Sequence, residues 1–196
     1  VLAHAHIAGT GMIIIQLTDK QSGTPITTAT VNIKSDGQSF PAYPNNKGKV
    51  ELSALPGEYT VEIIDRGRPT VRRVLNLEED AAGAARLNES LDKLSGIKFV
   101  VTNETEKSIP CKIQFKGIES TKTPNLGPQN RAHGCVDQWH SERGDIFVAL
   151  DPGKYQVVIT HGPEYGHHTQ KIEVKTGGTT DVKALLKRLV KTPGWI

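Results

Sequence analysis

The chain repeats itself. Residues 11–35 read GMIIIQLTDKQSGTPITTATVNIKS and residues 96–117 read GIKFVVTNETEKSIPCKIQFKG, each an apolar strand, a polar turn and a second strand opening near a proline. LPGEYTVEIID at 55–65 is echoed by LDPGKYQVVITHG at 150–162. A repeat of this size means two copies of one domain within the 196 residues, so no residue can be read as a site before it is placed in its copy. Gly11 and Gly96 lie 85 positions apart, whereas Pro56 and Pro152 lie 96 apart, which puts about eleven extra residues between the second strand and the Pro-Gly turn of the second copy. The expected boundaries are 1–94 for the first sandwich, 95–192 for the second with an inserted loop at 119–145, and 193–196 as the start of a linker. Copies of about this length close a small core without metal or disulfide.

Hydrophobic periodicity decides the fold class. Met12 to Leu17 is almost continuously apolar, which suits a strand in the middle of a sheet. Ala29, Val31 and Ile33 alternate with Thr30, Asn32 and Lys34, a half-buried strand. Tyr59, Val61 and Ile63, like Tyr155, Val157 and Ile159, share one face after a Pro-Gly turn. Only 78–94 is ambiguous, because its alanines and Leu87, Leu91 and Leu94 fit a helix. Its counterpart at 175–190 opens on Gly-Gly-Thr-Thr and alternates, so the repeat predicts a strand in both copies. Short strands separated by turn signals give an all-β chain of two tandem antiparallel Greek-key β-sandwiches.

Composition narrows function. The net charge is +3, and the basic excess collects at Lys183, Lys187, Arg188 and Lys191. With only 5% aromatic residues this reads as a solvated strand face and argues against a nucleic-acid partner. No apolar run approaches the ~18 residues of a membrane span, and the N-terminus lacks the regions of a signal peptide. Beginning at Val1, the chain reads as a processed or trimmed product.

Several clusters are candidates for chemistry, each with a plainer alternative. His4 and His6 have the spacing that aims two imidazoles toward a metal, but no acid or thiol accompanies them, and a solvated terminus is the simpler reading. The loop at 119–145 carries Asn130, Arg131, His133, Asp137, Gln138, Trp139 and His140. Trp139 amid hydrogen-bonding groups suits a sugar or a partner domain, or it packs over the end of its own core. His161, Glu164, Tyr165, His167 and His168 surround the Gly162-Pro163 turn as a possible zinc site; adjacent histidines on a strand point to opposite faces, which favours surface histidines at a hairpin. Cys111 and Cys135 are either bridged or buried thiols. Glu62 and Asp65 have no evident pairing. No nucleophile elbow or phosphate loop occurs, so the chain reads as non-catalytic and free of cofactors.

The Gly23-Thr24-Pro25 turn and Pro56-Gly57-Glu58-Tyr59-Thr60-Val61 resemble the carboxypeptidase regulatory-like, or prealbumin-like, domain. In the second copy, LDPGKYQVVITHGPEY (150–165), PNLGPQNRAHGC (124–135), GGTTDVKALLKR (177–188) and Pro193-Gly194-Trp195 resemble the segment upstream of the catalytic domain in CehA/McbA-type metallohydrolases of the PHP superfamily. In that family a Gly-Trp pair precedes an Asp and a His-x-His that hold metal; here the sequence reaches Gly194-Trp195-Ile196. The resemblance implies an accessory region of a secreted, periplasmic or cell-surface metal-dependent hydrolase. Its partner would be a catalytic domain following Ile196, with Glu164, Tyr165 and Trp195 near the contact. The alternatives are a carbohydrate- or cell-surface-binding module centred on Trp139, and a structural stalk similar to collagen-binding B-type domains, whose Lys–Asn isopeptide bond would draw on Lys98 in the second copy; the first has Gln16 where such a lysine would sit.

Overall fold

The computed structural model describes residues 11–78, 84–131 and 133–190. Its elements are strands: β1 (Gly11–Asp19), β2 (Thr30–Ser35), β3 (Gln38–Ala42), β4 (Lys49–Ala54), β5 (Gly57–Ile64), β6 (Val71–Leu77) and β7 (Ala84–Leu91), then β8 (Gly96–Thr102), β9 (Cys111–Gly117), β10 (Gln138–Ser141), β11 (Asp145–Ala149), β12 (Gly153–Thr160), β13 (His168–Val174) and β14 (Thr179–Leu185). The chain divides into two compact units, Val1–Lys93 and Leu94–Ile196. Each is a β-sandwich of one three-stranded and one four-stranded sheet. In the first unit the orders are β4-β1-β7 and β3-β2-β5-β6; in the second they are β11-β8-β14 and β10-β9-β12-β13. The repeat is therefore carried strand for strand. Pairing is antiparallel except between the first and last strands of each unit, β1 with β7 and β8 with β14, which run parallel.

The apolar alternation sets which face is buried. Ile13, Ile15 and Leu17 of β1 meet Val31, Ile33, Val61 and Ile63 in the first core. Ile97, Phe99 and Val101 of β8 meet Ile113, Phe115, Val157 and Ile159 in the second, where Phe99 and Phe115 pack edge to face at 5.9 Å. Segment 84–91 is a strand despite its alanines. Its parallel pairing with β1 sets Ala85 beside Ile13 and Leu87 beside Ile15, with Leu91 buried and Arg86, Asn88 and Ser90 outside, and this tertiary pairing outweighs helix propensity.

The Pro-Gly-x-Tyr motif has a common physical role in the two units. The Tyr59 hydroxyl donates to the Leu55 carbonyl at 2.7 Å, and that of Tyr155 to the Asp151 carbonyl at 2.8 Å. Each buried ring thus clamps the turn four residues before it. Burial, reinforced by Asp151, pushes the Tyr155 phenol up to about 12.

The insertion differs from expectation. Residues 119–145 are not one loop, because the stretch contains β10 and ends on the first residue of β11. The added length lies between β9 and β10. In the first unit β2 and β3 join through Asp36-Gly37 alone, whereas the second uses residues 118–137. β10 pairs along β9 as β3 pairs along β2.

Candidate functional site

The inserted segment folds onto its own sandwich. Leu126 is buried in the second core, its N–H donating to the Val136 carbonyl, while the Val136 N–H donates to the Gly127 carbonyl at 2.8 Å. Gln114 Nε2 of β9 donates to Asp137 Oδ2 at 3.0 Å. Trp139, opposite Ile113, is half-buried and packs against the core. Gly134 lies so close to its ring that an added Cβ would come within 2.9 Å. The indole Nε1 is buried and has no hydrogen-bond partner among the described residues. Trp139 is thus held by its own domain on one face. Around it His133 Nδ1 lies 2.9 Å from the His140 carbonyl oxygen, and Arg131 and His140 are exposed on the rim. Of these four predicted contact residues, Arg131 and His133 lie on the inserted segment and Trp139 and His140 on β10.

Glu164 and Tyr165 lie on the connection between β12 and β13, whose His161 lines a shallow pocket together with His140. The Tyr165 ring meets that of His161 edge-on at 4.6 Å, and Tyr165 bridges to Arg188. The Glu164 carboxylate pairs with the Arg188 guanidinium, and the Glu164 carbonyl accepts the Leu189 N–H at 2.8 Å. Hairpin and final segment are stitched together by these bonds. His168 reaches Gln170 and His161 reaches the Pro110 carbonyl. No group of three His, Cys, Asp or Glu side chains able to hold a metal occurs among the described residues. His4, His6, Trp195 and the linker 193–196 lie outside the described residues.

Cys111 and Cys135 are both free, which corrects the possible bridge. Cys111 is buried at the start of β9, where burial pushes its thiol up to about 11 and so disfavours the reactive thiolate. The Cys135 thiol donates to the Gln129 carbonyl at 3.2 Å within the insertion. Lys98, the residue open to isopeptide chemistry, is exposed on β8 between Phe147 of β11 and Asp181 of β14, and neither neighbour is an asparagine. Gln16 donates to the Lys47 carbonyl at 2.7 Å.

The most developed polar constellation escapes sequence reasoning. Arg68, 9% exposed at its side chain, donates from Nε to Asp65 Oδ2 at 2.9 Å and from Nη1 to Asp19 Oδ2 at 2.8 Å, and also bonds the Asp92 carbonyl. Thr28 Oγ1 donates to the other Asp65 oxygen at 2.8 Å. Asp19 is capped by the N–H groups of Ser22 and Gln21 at 2.9 and 3.0 Å. The Ser22 amide first, then the Arg68 guanidinium, hold the Asp19 carboxyl well below the usual carboxylate range. Glu62 is likewise paired, with Arg72 Nη2 at 2.7 Å and Lys34 at 3.2 Å, and these partners lower its carboxyl as well. The carboxylates without evident pairing in sequence are thus fully partnered. Arg68 and Asp19 are 49 positions apart, and only the fold brings them together.

No known family profile matches the chain, and no curated protein does. Among solved structures it is similar to the shaft pilin SpaA of Lactobacillus rhamnosus GG, at 14% identity and TM-score 0.48 over 94% of this chain and all of that one. It is similar also to GBS52, the minor pilin of Streptococcus agalactiae, at 15% identity and TM-score 0.45 over 95% of this chain and 99% of that one. A third similarity is to the Bacillus anthracis TIE protein, at 17% identity and TM-score 0.41 over 92% of this chain, which spans about a third (34%) of that structure.

Proposed function

We propose that this chain is a non-catalytic pair of β-sandwiches whose work is positional and adhesive, and that it serves as the accessory front of a secreted or surface PHP-type metal-dependent hydrolase. The observation that carries the non-catalytic part is how the charged side chains are used. Asp19, Asp65, Glu62 and Glu164 each neutralise an arginine that ties one loop or strand to another, and the Trp139 ring is packed into its own domain. Groups committed to such bonds are held in one geometry by partners inside the domain, unlike a general acid or base that must face a substrate.

The hydrolase part rests on the sequence resemblance of residues 124–135, 150–165, 177–188 and 193–195. The hairpin stitched by Glu164, Tyr165 and Arg188 would brace the end of the second sandwich from which the chain leaves toward the catalytic domain. Reading the gene past the codon for Ile196 tests this. An in-frame Asp and His-x-His within a few residues is the expected result; a stop codon, or a continuation without those ligands, overturns the hydrolase assignment and leaves the structural one.

A further inference from the structure

The two units treat the same place differently. In the second, the chain continues beyond Gly117 along β12: the Ile118 N–H donates to the Lys154 carbonyl at 3.0 Å, and the Thr121 hydroxyl accepts the Lys154 N–H at 2.9 Å. Thr121 covers Gly153 so closely that an added Cβ would approach its Cγ2 to 2.6 Å. The Lys154 ammonium pairs with the Glu119 carboxylate at 2.8 Å. The end of the second sandwich is thus occupied by a tight turn of its own chain, in which the Thr121 N–H donates to the Ile118 carbonyl at 3.1 Å and Glu119 takes a positive φ.

In the first unit Gly57, Glu58 and Tyr59 stand where Gly153, Lys154 and Tyr155 stand in the second, each opening the third strand of its four-stranded sheet. The β2–β3 hairpin turns back at Asp36-Gly37, and among the described residues nothing takes the place of residues 118–121. A Cβ built on Gly57 meets no atom of those residues within 4 Å. A groove of about 710 Å³ remains, lined among others by Asp36, Phe40, Leu55, Glu58 and Tyr59, a size that suits a short ligand segment. Phe40 and Leu55 are 47% and 64% exposed within it. Glu58 replaces Lys154 with the opposite charge, and among the described residues it has no ion-pair partner.

We propose that this groove takes a short peptide turn from a partner protein, bearing a basic residue where the second unit has Glu119 and a serine or threonine where it has Thr121. Charge complementarity selects the occupant: a carboxylate on the receptor strand calls for a cation on the incoming turn, and the hydroxyl supplies the acceptor for the strand's N–H as Thr121 does. This goes beyond the hydrolase reading and does not depend on it.

The test uses the full chain and two synthetic peptides, residues 118–127 as they stand and the same segment with Glu119→Lys. The lysine peptide is expected to bind and to shift amide resonances of residues 34–38 and 52–60. The unchanged peptide should bind on the order of tenfold more weakly, since an attraction near the upper end of exposed ion pairs becomes a repulsion. Glu58→Lys, an exposed substitution that leaves the core intact, should reverse the preference. Equal binding of both peptides, shifts confined to the second unit, or no binding of the lysine peptide would overturn the proposal. So would concentration-dependent shifts at 34–38 and 52–60 without peptide, which would give the groove to a second copy of this chain.

Discussion

Arg68→Met is expected to destabilise the first unit by on the order of 3 kcal/mol, because it strands two carboxylates that the fold has withdrawn from water. The side chains of Asp19 and Asp65 are 12% and 5% exposed, and Arg68 is the cation they share. For a domain of this size such a loss lowers the melting midpoint by at least ~12 °C. Amide exchange in β1 and β5 during a thermal ramp reads this in the first unit alone; a shift of only a few degrees would mean that the cluster is an ordinary surface network. The same bonds give the unit an acid limb. The folded-state Asp19 carboxyl titrates below its unfolded value, so its contribution is fully present above about pH 4 and lost as pH falls toward the folded value. Asp19→Asn should therefore flatten the decline in midpoint between about pH 5 and 2, even though it lowers stability at neutral pH.

Leu126→Ala is expected to cost the second unit about 2–5 kcal/mol, the range for emptying a filled apolar site, although the residue lies in a segment without regular strands. Leu126 is 1% exposed and belongs to the same core as Phe99 and Phe115. An ordinary surface-loop substitution would change stability by at most about 0.5 kcal/mol. Emission from Trp139, in a Trp195→Phe background, should report the loss at low denaturant, because the ring packs beside the segment Leu126 anchors. A small effect would mean that the insertion hangs on the sandwich without being part of it.

The contrast between these two sites shows what a single sequence makes legible. Strand alternation at Ile13, Ile15 and Leu17, or at Tyr155, Val157 and Ile159, is local, and the duplication settled segment 84–91 where its alanines pointed to a helix. Leu126 gives no such signal, since one leucine among Pro, Asn and Gly looks like any loop residue until the loop is folded onto β9 and β10. The Arg68 cluster joins residues from three separated stretches, and no periodicity relates them. The parallel pairing of β1 with β7 was equally out of reach, because side-chain alternation is the same in parallel and antiparallel strands. Trp139 drew notice for its polar neighbours, while Gly134 beside its ring and the core beneath it become visible only in the fold. The groove by Glu58 emerged only when the two copies were compared position by position, the Lys154–Glu119 pair in one marking what the other leaves open.

The claim that the chain acts by position and contact, with no chemistry of its own, is most directly tested by hydrolysis of chromogenic ester and phosphoester probes in the presence of Mn²⁺ or Zn²⁺, with the chain alone and with the full product of its gene. The expected result is no turnover above buffer for the chain alone and metal-dependent turnover for the full product. Metal-dependent turnover by the purified chain that survives rigorous repurification would contradict it.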